Sequence, residues 1–86
     1  NPNLLDMVPL SEGFQVVEMA PPDSFHGKNL LQLNLREQFG AFVIAVREMV
    51  PERFVFLPGP DFLIKPSDVL VLIGREDDLT RLQQSS

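Results

Sequence analysis

The chain has 86 residues, 44% of them hydrophobic, with seven Phe, no Trp, Tyr or Cys, and a formal net charge of -5 at pH 7. That length makes a single small domain with a modest core, so self-association or reliance on a neighbouring domain is expected. Seven basic residues scattered singly between Lys28 and Arg81 argue against nucleic-acid binding, the apolar runs fall far short of the ~20 residues of a membrane span, and the lack of cysteine excludes disulfides and thiolate metal sites.

Residues 1–13, NPNLLDMVPLSEG, mix two prolines with small polar residues and a few aliphatics. They read as an ordered connector in which Leu4, Leu5 and Met7 pack. Asn1 stands where an initiator methionine would, so the chain is expected to be a piece of a larger polypeptide. Phe14 to Ala20 is rich in strand formers and stops at Pro21-Pro22, because proline cannot continue a ladder. Pro21 to Gly27 is a loop. Leu31, Leu35 and Phe39 then recur every four residues, with Leu30 and Leu33 beside them, which predicts a helix ending at Gly40. Asn34 interrupts that stripe and allows a break into two short pieces. Ala41 to Arg47 is a second strand, Glu48 to Arg53 a turn carrying Pro51, and Phe54 to Leu57 a third strand. Phe62 to Ile64 forms an extended bridge between two proline turns. Val69 to Ile73 is apolar at every position and ends at Gly74, so both faces of that strand should be covered. Glu76, Asp77 and Asp78 crowd the start of a terminal helix, where negative charge suits exposed N–H groups. Leu79 and Leu82 anchor that helix, and Gln83 to Ser86 should fray.

The predicted order is β-α-β-β-β-α. It describes an α+β sandwich, a small antiparallel or mixed sheet of about four strands with two helices as one layer. The apolar strand faces exceed what two short helices can cover, so a second copy is expected to cover the rest.

Catalytic equipment is sparse. His26 has no second His or Cys to join it in a metal or acid–base site, and reads as a loop residue. Asp61, Asp68 and the Glu76-Asp77-Asp78 run lack the spacing of a calcium loop and read as turn and capping residues. Ser24 and Ser67 have no adjacent base, and the five glycines form no phosphate loop. Glu37 and Glu48 make a carboxylate pair only on paper. Arg36, four residues before Gly40, can project where helix meets strand and offer a planar fork of donors to an anion. A surface ion pair with a nearby acid is the competing use of the same side chain, and the weightier one. No enzymatic activity is expected.

The order of these segments resembles the TrkA-C domain, the C-terminal lobe of RCK (regulator of potassium conductance) proteins. The resemblance is carried by Gly27-Lys28-Asn29-Leu30, Leu33-Asn34-Leu35-Arg36, Phe39-Gly40 and Val43-Ile44-Ala45-Val46. Pro58, Asp61 and Ser67 to Gly74 complete it, and Asn1 to Asp6 resembles the connector leaving a nucleotide-binding N-lobe. It divides the chain into a connector, residues 1–13, and the lobe itself, residues 14–86.

Several expectations follow from that resemblance. Members are cytoplasmic regulatory modules, peripheral to the inner membrane, of potassium channels and uptake systems. They dimerise through this lobe and gate a membrane subunit, without inserting into the bilayer and without nucleic acid. The NAD or ATP site lies in the N-lobe, outside this chain. Some members bind cyclic di-AMP at the two-fold interface. The positions matching that site here are Leu30, Leu31, Arg36, Ala41, Phe42, Val43 and Pro58, with the apolar residues packing on adenine and Arg36 meeting phosphate. Nucleotide-binding members tend to carry a polar residue at the place of Phe42, which stacks but neither donates nor accepts. The alternatives are the same kind of lobe on a cation/proton antiporter or carboxylate carrier, and an accessory ligand-binding domain of a metabolic enzyme.

Overall fold

The structure, a computed structural model, describes residues 3–85. Asn1, Pro2 and Ser86, to which the connector and fraying expectations extend, lie outside the described residues. Strands β1 (Leu4–Pro9), β2 (Phe14–Met19), β3 (Phe42–Met49), β4 (Glu52–Phe56) and β5 (Val69–Arg75) form one sheet in the order β1-β2-β5-β3-β4. Every neighbouring pair is antiparallel. Helices α1 (Leu30–Leu33), α2 (Leu35–Phe39) and α3 (Glu76–Gln83) complete it, with a single 3-10 turn at Asp23–Phe25. The α+β class therefore holds, with five strands rather than about four.

The additional strand lies in the segment read as a connector. Leu4 to Pro9 pairs with β2 through a hairpin whose Glu12 and Gly13 both take positive φ, 60° and 81°. Two successive left-handed residues give a turn whose twist matches that of the flanking strands. Leu4 packs against the core, but Leu5 and Met7 are exposed, contrary to the packing expected of them. Pro9 masks the strand in the sequence, yet an edge position tolerates a residue that donates no hydrogen bond.

The helical stripe breaks where Asn34 adopts φ 48°, ψ 51°. The break turns the first piece relative to the second. Leu35 is buried in the core and Leu30, Leu33 and Phe39 pack against it, whereas Leu31 is 71% exposed. The third and fourth strands pair as a tighter hairpin than the predicted turn over 48–53, with Glu48 facing Arg53 and Met49 facing Glu52. Phe62 to Ile64 does bridge, through Leu63 opposite Asn29. Residues 83–85 are held instead of fraying. Gln83 is buried, and the Ser85 hydroxyl donates to the Leu82 carbonyl at 2.8 Å.

Strand registers divide the sheet into two unlike faces. Met19 opposite Leu70, Val17 opposite Leu72, Val43 opposite Leu72 and Val46 opposite Leu70 put these side chains on one face. There they join Leu35, Ile64, Leu79 and Leu82 in the core. The alternate positions place Val16 beside Ile73, Phe42 beside Ile73, Ala45 beside Val71 and Phe56, and Arg47 beside Phe54. No helix covers that second face among the described residues, and Val71 and Ile73 of the central strand are only half-buried.

Candidate ligand groove

Residues 27–31 lie against residues 60–64 like a short zip. Gly27 N–H donates to the Ile64 carbonyl, Ile64 N–H to Lys28, Leu30 N–H to Phe62 and Leu31 N–H to Pro60, at 2.9 to 3.2 Å. Helix α1 starts there because Asn29 and Gln32 cap each other. Gln32 N–H donates to Asn29 Oδ1 at 2.8 Å and Asn29 N–H to Gln32 Oε1 at 2.9 Å. Gly40 ends α2 at φ 67°, and its N–H donates to the Arg36 carbonyl at 2.9 Å. Ala41 then enters the core, and β3 leaves with Phe42 outward and Val43 inward.

These elements enclose a groove of about 420 Å³. One wall is α1 and its continuation, supplying Leu30, Leu31 and Arg36. The start of β3 supplies Ala41, Phe42 and Val43, and the Pro58-Gly59-Pro60 turn closes the third side. All seven residues singled out in the sequence thus line one concavity. The structure adds Asn34, Leu35, Gly59 and Pro60 to them. Asn34 stands out in the sequence as a helix breaker and as part of the Leu33-Asn34-Leu35-Arg36 resemblance, and Pro60 lies in a proline turn. Their spacing signals backbone geometry, and the lining role follows from what folds next to them.

Arg36 sets the electrostatics of the groove. Among the described residues it forms no ion pair, unlike Arg47, Arg53, Lys65 and Arg81. Its guanidinium sits over the Phe42 ring, 5.6 Å from the centroid. The surface ion pair favoured for it in the sequence is absent, because the break at Asn34 carries α2 toward the aromatic end of β3. A cation resting on a ring keeps its charge available to an incoming anion. Phe42 remains 44% exposed, so one ring also offers stacking area.

The other titratable groups lie elsewhere. Glu48 accepts from Arg53 at 2.6 Å and from Lys65 at 2.9 Å. Hydrogen bonds from Lys65, then from Arg53, hold its carboxyl below the ordinary value of 4.5. Burial pulls the Lys65 ammonium down, but its bonds to Glu48 and Asp68 outweigh that and leave it raised. Among the described residues, no three His, Cys, Asp or Glu side chains converge on a common point. Glu37 and Glu48 do not share a site: Glu48 is engaged on β3, and Glu37 lies exposed on α2.

The TrkA-C domain family model matches residues 14–85. The chain belongs to the TrkA-C domain family. It is similar to Ktr system potassium uptake protein A of Bacillus subtilis, with 26% identity over 81 residues, covering 94% of this chain and 36% of that protein. Ktr system potassium uptake protein C of the same organism is 28% identical over 82 residues, covering 95% and 36%. The TrkA-C chain therefore spans about a third of the length of these curated relatives. Among solved structures, the RCK C domain of the potassium transport protein KtrA in complex with c-di-AMP matches with TM-score 0.74 and 28% identity over 80% of this chain and 79% of that one. The RCK_C domain dimer of S. agalactiae BusR in complex with c-di-AMP matches with TM-score 0.67 and 29% identity, over 77% and 82%.

Proposed function

We propose that this TrkA-C domain is the ligand-sensing and dimerisation lobe of a cytoplasmic potassium-transport regulator, and that its groove takes c-di-AMP where two copies meet. The observation that carries the reading is the groove itself: an apolar trough lined by one aromatic ring and by one cation free of any carboxylate among the described residues. Apolar walls suit a nucleobase, and a guanidinium fork suits a phosphodiester. Two relatives of the same fold are c-di-AMP complexes.

Dimerisation follows from the uncovered sheet face. Phe42 belongs both to the groove and to that face. A second copy packed there in two-fold fashion brings two grooves together and shuts the ligand between them. Ligand binding then favours one arrangement of the pair, which is the work a gating lobe must transmit to a membrane subunit. The lining holds no carboxylate and no nucleophile beside a base, which suits binding rather than bond-making. An NAD or ATP site of the N-lobe kind would lie outside this chain, as would contact with the membrane; no helix among the described residues is long and apolar enough to cross one.

Calorimetry with c-di-AMP tests the reading. The expected stoichiometry is one ligand per two chains, with Arg36→Ala abolishing the heat. An absence of heat at millimolar ligand would remove the assignment.

A further inference from the structure

Arg36 reaches the groove from α2, and α2 has only five residues, Leu35–Phe39. A helix that short closes too few internal hydrogen bonds to hold itself in water, so its position is set from outside. Leu35 and Phe39 pack it against the core. Further support comes from α3, at three successive residues. Arg81 Nη1 donates to the Gln38 carbonyl at 3.1 Å, a group that the end of a helix leaves without an intrahelical partner. The Arg81 guanidinium lies over the Phe39 ring, 5.0 Å from the centroid. Gly40 comes so close to α3 that a Cβ built on it would lie 3.1 Å from one Asp78 carboxylate oxygen, and the other oxygen pairs with Arg81 at 3.2 Å. The turn held in this way is the one that carries Arg36, because Gly40 N–H donates to the Arg36 carbonyl at 2.9 Å. No residue of α3 lines the groove among the described residues.

We infer that Arg81 is a positioning residue for the groove: it fixes the last turn of α2, and through that turn the place of Arg36. Affinity for an anionic ligand then depends on the docking of α3, a helix outside the groove. This role rests on the cyclic-dinucleotide reading of the groove given above. The Arg81 side chain is 55% exposed, so its pair with Asp78 adds little stability by itself. Its effect comes from spanning two helices and meeting α2 at a carbonyl and at a ring. Coupling between sites is reciprocal. A ligand that holds Arg36 therefore holds the α2 turn, and with it α3, against local opening.

Calorimetry with c-di-AMP, and amide hydrogen exchange of α3 and β5 with and without c-di-AMP, test this on the unaltered chain, Arg81→Ala and Arg81→Lys. Arg81→Ala should keep its circular dichroism spectrum and bind about fivefold or more weakly. Arg81→Lys, which keeps the charge and one donor for the Gln38 carbonyl, should fall between. In the unaltered chain the ligand should slow exchange in α3 as well as in β5. At equal occupancy in Arg81→Ala, the slowing should persist in β5 and vanish from α3. A side chain that merely stabilises the fold would change both elements together. Unchanged affinity in Arg81→Ala, or ligand protection retained or lost equally in α3 and β5, overturns the role of Arg81 and leaves the groove's ligand standing. No binding of c-di-AMP by the unaltered chain overturns both.

Discussion

Asp68 shows how much one side chain can hold in a domain of this size. It is buried, and its Oδ2 accepts from the Lys65 backbone N–H at 2.9 Å and lies 3.2 Å from the Lys65 ammonium. Those bonds shape the turn that launches β5, the strand at the centre of the sheet. Asp68→Ala should strand the Lys65 N–H and lower stability by roughly 1–3 kcal/mol, measured by denaturant unfolding. Asp68→Asn, which keeps an acceptor for that N–H, should lose less. Glu48 makes a pH-dependent contribution at the same corner. Its folded pKa is depressed below the ordinary 4.5, so its stabilisation is present above that value and fades as pH falls through the folded pKa. Lys65 is raised, so its share is present at neutral pH and lost only as pH climbs through its folded value. Glu48→Gln should therefore flatten the acid limb of a melting-temperature profile, compared with the unaltered chain between pH 7 and pH 3. A parallel shift of the whole profile would mean that Glu48 acts only through packing.

Among the elements, α2 and α3 depend on two glycines that let them approach. Gly40 has φ 67°, and a Cβ built there would lie 3.1 Å from Asp78 Oδ2. Asp78 in turn pairs with Arg81 at 3.2 Å, while Arg81 donates to the Gln38 carbonyl at 3.1 Å and lies over the Phe39 ring. Gly40→Ala strains the backbone and presses on this clasp, so a loss of about 1–2 kcal/mol is expected by thermal unfolding. Gly74 serves the other side, where an added Cβ would meet Leu79 at 3.3 Å and the Gly40 carbonyl at 3.4 Å. The helix stop at Gly40 was legible in the sequence, as was the break at Asn34, because both are demands of local backbone geometry. The strand over Leu4–Pro9 was not. Its partner Phe14–Met19 is local, but its one proline, Pro9, and its weak alternation erase the period that marks a strand.

For the molecule as a whole, the two faces of the sheet decide its behaviour. The outer face carries Phe54 and Phe56, stacked at 5.5 Å between centroids and 53% and 72% exposed, in line with Ala45, Val71 and Ile73. Apolar area of this kind on a small domain marks an interaction surface. Sedimentation of the chain should show a dimer, and Phe56→Glu should yield monomers with an unchanged circular dichroism spectrum. Because Phe42 joins that face to the groove, the same substitution should also weaken c-di-AMP binding. A Phe56→Glu protein that still dimerises would show that the pair forms through another surface.

The amino-acid sequence by itself determined the α+β class, the apolar central strand, the glycine and asparagine break points and seven of the eleven positions that line the groove. Those features rest on local preference, on periodicity and on a pattern shared across a family, all of which are written along the chain. Tertiary structure alone decided that residues 4–9 complete the sheet, that Arg36 rests on Phe42 instead of on an acid, and that Asn34 and the Pro58-Gly59-Pro60 turn line the same groove. Each of these depends on which segments become neighbours in space. That is settled by strand register and the packing of the core, and a residue's nearest neighbours in sequence do not encode it.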